Sequence, residues 1–212
     1  MIRIPLATTP ITAVGLALAL ALSTGASHAA DLRYSFHGDA QGVTVTSGGV
    51  LTHVVEDDNG YLSVADIDNE DMLLVIPLGG ATADWSSYLG GKLSFDGRSL
   101  NGDLPSWPSF GLLTLTSAAG SVSFDFVPSN HPAADWIRYT VQLDAATFGP
   151  ALPSILAALT SATINLESGN GPIEVVGIDN LRITAAVPEP QSWALLLAGL
   201  GVAGAIARRR RD

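Results

Sequence analysis

The chain has no cysteine. Disulfide staples are excluded, as are cysteine-ligated zinc and iron–sulfur centres. A domain of this size can build its core without them. Cations are scarce between the two ends. Residues 30–186 hold Arg33, Lys92, Arg98, Arg138 and Arg182 against 18 acids. Such a surface repels nucleic acid and anionic lipid at long range, so no nucleic-acid partner is expected. It suits solubility, cation binding or contact with neutral sugars. Catalytic signatures are missing too. There is no Gly-x-Ser-x-Gly elbow and no His-x-x-x-His pair. Ser35 and Asp39 flank His37, but neighbours on a strand point to opposite faces. His37, His53 and His131 are therefore expected at the surface or on edge strands. No internal repeat, EF-hand loop or LPxTG-like motif is present.

Long apolar runs occur only at the ends. The first follows Arg3, runs uncharged from Ile11 to Leu22, and gives way to small residues, with Ser27-His28-Ala29 at the cleavage positions. This is the pattern of a signal peptide over residues 1–29. At the other end, Val187-Pro188-Glu189-Pro190 precedes an apolar run from Trp193 to Ala207. Arg208, Arg209, Arg210 and Arg211 follow at once. As a helix the run would span about 22 Å, short against a hydrocarbon core of about 30 Å. Trp193 suits one interface, and the arginines snorkel at the other. The arginines place the C-terminus in the cytoplasm, and the signal peptide places residues 30–186 outside.

Motif, short apolar helix and arginine cluster, in that order, resemble the PEP-CTERM sorting signal, with residues 187–212 as the tail. The resemblance implies processing by an exosortase-like membrane peptidase and transient anchoring in the inner membrane of a Gram-negative bacterium. The implied destination is the cell surface or an extracellular matrix of exopolysaccharide and biofilm. A plain tail anchor or a chance apolar end is the alternative.

Residues 30–186 read as one domain. Short β-rich runs recur at Leu32–Phe36, Val43–Thr46, Leu51–Val55, Met72–Pro77, Gly91–Phe95, Leu112–Thr116, Val122–Val127, Trp136–Leu143, Ala162–Leu166 and Ile173–Ile183. Gly, Asn, Asp and Ser punctuate them. The pattern predicts an all-β sandwich or jelly roll, with one short helix over Pro153–Leu159. Asp84-Trp85-Ser86-Ser87-Tyr88-Leu89-Gly90-Gly91-Lys92-Leu93-Ser94-Phe95-Asp96 resembles the centre of the laminin B module, or laminin domain IV. Phe36 to Val45, Gly60-Tyr61-Leu62 with Asp66, Asp135 to Leu143, and Ile178-Asp179-Asn180-Leu181 fall in that module's order. Val43 departs from it, standing where bacterial relatives often carry Trp. The resemblance implies a jelly-roll sandwich of galactose-binding-like type; it does not imply an enzyme.

Three chemistries have candidate residues. Asp57, Asp58, Asp66 and Asp68 lie in two acid-rich stretches that suit a structural calcium ion; solvated loops are the alternative. No other cofactor is expected. Glu167 and Glu174 flank Ser168–Ile173 and are candidates for a glycosidase acid pair, or two solvated acids beside a turn. Trp107, stiffened by Pro105 and Pro108, is the candidate ligand contact; a ring folded back over a sheet end is the alternative. Trp85 and Trp136 are expected in the core or at a sheet edge. The expected role is a non-enzymatic module binding polysaccharide or a surface protein. A secreted carbohydrate-active enzyme acting on matrix polysaccharide, or a purely structural matrix component, are the alternatives.

Overall fold

The computed structural model describes residues 30–46, 48–102, 108–127, 131–169 and 174–186, with Gly199. Its strands are β1 (Leu32–Tyr34), β2 (Thr44–Val45), β3 (Gly49–Glu56), β4 (Asn59–Asp66), β5 (Leu73–Val75), β6 (Lys92–Ser99), β7 (Leu112–Ser117), β8 (Gly120–Asp125), β9 (Ile137–Gln142), β10 (Leu159–Asn165) and β11 (Val175–Thr184). Helices α1 (Ala145–Phe148) and α2 (Leu152–Leu156) link β9 to β10.

Period-two alternation makes the strands two-faced. In β6, Leu93 and Phe95 are buried, while Lys92, Ser94 and Asp96 point away from the core. In β9, Tyr139 and Val141 are buried between Arg138 and Thr140. One sheet has six strands in the order β3-β4-β11-β6-β9, with β1 also paired to β11. The other has five, in the order β2-β5-β10-β7-β8. All pairings are antiparallel. From β4 onward the chain passes back and forth between the sheets, giving a jelly-roll sandwich.

The core lies between the sheets. Leu62, Val64, Leu93, Phe95, Val176 and Ile178 face Leu74, Leu113, Leu115, Ala162 and Ile164. Burying each large aliphatic or aromatic side chain stabilises the fold by about 1.5–3 kcal/mol relative to exposure. Phe95 stacks on Tyr139 at 5.0 Å and meets Phe126 edge-on at 5.3 Å. Trp85 is 3% exposed and packs edge-on against Tyr88.

The helical link differs from expectation. Leu159 begins β10 and does not end a helix, because its backbone pairs with Ala83. An unexpected first turn, α1, is capped by Asp144, whose side chain accepts from the Thr147 N–H at 2.8 Å. Strand β4 was not expected as a separate strand. Gly60 within it passes under the Phe36 carbonyl, where a Cβ would approach within 1.9 Å. Among the described residues no helix is long and apolar enough to cross a membrane. The signal peptide (1–29), the sorting motif Val187-Pro188-Glu189-Pro190, Trp193 and the arginine cluster lie outside the described residues.

Candidate functional site

Strand β11 is central to the six-stranded sheet. Along one side it pairs with β6; along the other it pairs first with β4 and then with β1. A register shift between Asp179 and Arg182, with Asn180 at φ 50°, marks a bulge. Strand alternation then sets the outer face in rungs. Asp179, Asp96 and Arg138 lie on one. Arg33, Arg182, Ser94 and Thr140 lie on the next, and Thr184, Lys92 and Gln142 on a third.

These rungs build an open depression of about 660 Å³. Its lining includes Asp31, Arg33, Lys92, Arg138, Asn180 and Arg182. Arg138 grips Asp96 with both ends of its fork, at 2.7 and 2.8 Å. The bulge brings the Asn180 amide to the same carboxylate, at 2.9 Å. Arg33 and Arg182 stand directly opposite each other, which would repel. Asp31 bridges them, and hydrogen bonds from Arg182 and Arg33 hold its carboxyl below the usual range. Lys92 has no ion-pair partner among the described residues. Asp179 is buried beside Asp96; burial pushes its carboxyl up, although Asn59 and the Asn180 N–H donate to it.

One rung beyond Asp96 the face turns aromatic. The Arg98 guanidinium lies 4.9 Å from the Trp136 ring centroid and 5.6 Å from that of Tyr61. The two rings meet edge-on at 5.6 Å. Trp136 rests over Gly177 of β11, where a Cβ would come within 2.9 Å of the indole. Trp136 therefore packs on the outside of the sheet, whereas Trp85 lies in the core. Trp107 lies outside the described residues.

The acids divide differently from expectation. Asp57 and Asp58, at φ 50° and 63°, form the tight turn between β3 and β4. Asp66 closes β4 at its far end, about 23 Å away at 3.3 Å per residue. The four acids Asp57, Asp58, Asp66 and Asp68 are thus split, because an extended strand separates the two stretches. Asp66 instead meets Glu167 and Glu174, with one oxygen of each within 4.8 Å of the others. Burial, then the neighbouring Glu174, pushes Glu167 up to about 8. Burial would raise Glu174 too, but the N–H groups of Ser168 and Gly169 donate to it at 2.8 Å and bring it down. The two glutamates are neither solvated nor set across an open cleft. No sugar ring fits between carboxylates this close, so this is not the spacing a glycosidase pair needs.

Among the described residues, no serine hydroxyl hydrogen-bonds to His37, His53 or His131. His37 meets the Ser35 carbonyl, His53 the Phe36 carbonyl, and His131 the Tyr139 hydroxyl.

Residues 186–211 match the PEP-CTERM protein-sorting motif. The motif indicates export and a membrane-anchored sorting signal, and it implies exosortase processing. No curated protein matches the chain in sequence. Among solved structures, an exo-beta-agarase is 16% identical with a TM-score of 0.55, over 77% of this chain and 26% of the agarase. The family 11 carbohydrate-binding module of a cellulosomal cellulase of Clostridium thermocellum is 14% identical with a TM-score of 0.44, over 76% of this chain and 90% of the module. The L4b domain of human laminin alpha-2 is 11% identical with a TM-score of 0.45, over 55% of this chain and 71% of that domain. At 16% identity the likeness to the agarase is one of fold.

The face ahead of the PEP-CTERM tail was only half visible in the sequence. Alternation in Lys92-Leu93-Ser94-Phe95-Asp96 and in Arg138-Tyr139-Thr140 already puts the charges on one side of each strand. Which strands neighbour each other was not visible.

Proposed function

We propose that this is a non-enzymatic polysaccharide-binding module, delivered by its PEP-CTERM tail to the surface or matrix of a Gram-negative bacterium. The outer face of the six-stranded sheet is its binding surface, and the sugars it takes are acidic. One observation carries this reading. Four of the five formal cations of residues 30–186, namely Arg33, Lys92, Arg138 and Arg182, line a single open depression. In a domain so rich in acid this is a local reversal of sign. Asp31 and Asp96 offset part of the charge and hold the guanidinium groups in place. Planar forks of this kind suit carboxylates. Asn180, Ser94 and Thr140 add hydroxyl-pairing groups beside them. The Tyr61–Arg98–Trp136 cluster adds an apolar flank for the C–H face of a sugar.

Affinity electrophoresis of the full chain tests this. Migration should slow in a gel containing a polyuronate and less so in one containing a neutral glucan. Equal retardation by both would remove the acidic preference. No retardation by any polysaccharide would leave a purely structural matrix component as the better reading.

A further inference from the structure

We propose that Asp66, Glu167 and Glu174 form a calcium site at one end of the sandwich, remote in function from the polysaccharide face. Three chain segments meet there: the end of β4, the exit from β10 and the entry to β11. Exposure is 8% for Asp66, 8% for Glu167 and 3% for Glu174. Each directs one oxygen into the cluster, and those oxygens lie within 4.8 Å of one another.

A second observation points to an occupant. Asp66 Oδ2, Glu167 Oε2 and Glu174 Oε2 are all buried and all lack a hydrogen-bond partner. The second oxygens of Asp66 and Glu174 are satisfied. Asp66 Oδ1 accepts from the Asp68 N–H at 3.2 Å, and Glu174 Oε1 accepts from Ser168 and Gly169 at 2.8 Å. The cluster thus holds three buried carboxylates, each with one oxygen that no donor reaches. Buried polar atoms are rarely left alone, and buried like charges less so. Among the described residues no arginine or lysine pairs with any of the three. A proton shared by the glutamates removes one charge and leaves Asp66 unanswered. A divalent cation answers all three.

The donor set selects the ion. It is oxygen only, with no histidine in the cluster and no cysteine in the chain. Soft and borderline metals are disfavoured by such ligands. Magnesium dehydrates reluctantly and keeps several waters, whereas calcium accepts a buried set of carboxylates completed by carbonyls or water. Such a site would tie β11, the spine of the binding face, to β4 in its own sheet and to β10 in the other.

Calorimetric titration of Ca²⁺ into the chelator-treated full chain, with thermal melts alongside, tests the assignment. A single saturable site is expected, with a dissociation constant on the order of 10⁻⁴ M. The melting temperature should rise by roughly 5 °C or more at a hundred-fold excess over that constant. Asp66→Asn and Glu167→Gln should each weaken binding about ten-fold or more, while Asp57→Asn/Asp58→Asn should leave it unchanged. Absence of binding heat with an unmoved wild-type melt would overturn the site and leave a carboxyl pair holding a proton. This outcome needs no variant to fold. Binding undiminished in both Asp66→Asn and Glu167→Gln would overturn it as well, and an equal response to Mg²⁺ would overturn the choice of ion. None of these results touches the polysaccharide reading, which electrophoresis tests separately.

Discussion

Gly177 and Trp136 fit each other as groove and lid. The glycine leaves the outer surface of β11 low enough for an indole to lie across it. Gly177→Ala would push a methyl group into the ring at 2.9 Å. It should destabilise the domain by about 1–3 kcal/mol, read from urea unfolding, with the Trp136 fluorescence shifted. A change below about 0.5 kcal/mol would show that the indole does not rest there. Tyr139 makes a second residue-scale test. Burial pushes its hydroxyl up to about 12. Its unfolded value is near 10, so the folded state holds the proton more tightly. The stability this represents is complete below pH 10 and is lost as pH rises to about 12. The loss should amount to roughly 2–3 kcal/mol and shrink in Tyr139→Phe. An identical alkaline melting profile in that variant would contradict it. At this scale the sequence separated the tryptophans poorly. Trp85 stands at the start of a short helical turn, Ser86–Tyr88, and is core, as expected. Trp136 looks equivalent, yet it precedes β9 and its partner glycine lies 41 positions away.

The β3–β4 hairpin shows what separation along an element does. Asp57 and Asp58 both hold positive φ, the signature of a type I′ turn, which favours Asn-Gly or Asp-Gly. The second aspartate has the wrong side chain for its backbone. Asp58→Gly should therefore stabilise the protein by about 0.5–1 kcal/mol, raising the denaturant midpoint without changing the slope. A lowered midpoint would mean that the Asp58 side chain has an interaction worth more than the strain. The same hairpin explains why the expected four-acid set came apart. Asp58 and Asp66 are eight positions apart in sequence, but β4 is extended and holds them at opposite ends. Glu167 and Glu174 were legible as a pair because the Gly-Asn-Gly-Pro stretch between them reads as a turn in the sequence. Their union with Asp66 was not, since it depends on β11 pairing with β4. The strands themselves were largely readable from alternation and turn residues. The bulge at Asn180, which delivers its amide to Asp96, left no trace in the pattern.

At the scale of the molecule, total charge conceals where the cations stand. An excess of acid over residues 30–186 suits solubility, cation binding or neutral sugars, whereas charge acts locally and four of the five cations line one depression. The tail was the most readable feature, because motif, apolar run and arginines are contiguous and need no folding to be recognised. Sorting through that tail predicts a released protein whose intact mass lacks residues 1–29 and Trp193–Asp212. A released mass that retains the arginine cluster would contradict processing.

The central claim is that the cation-lined face binds acidic polysaccharide, and one comparison tests it most directly. A soluble polyuronate is titrated by calorimetry into the full chain and into a Lys92→Ala/Arg138→Ala variant, at low and at high salt. Both side chains are exposed, so the variant should melt within about 3 °C of the parent. The account predicts parental binding that weakens with salt and is about ten-fold or more weaker in the variant. Parental affinity in the variant, unchanged by salt, would contradict it.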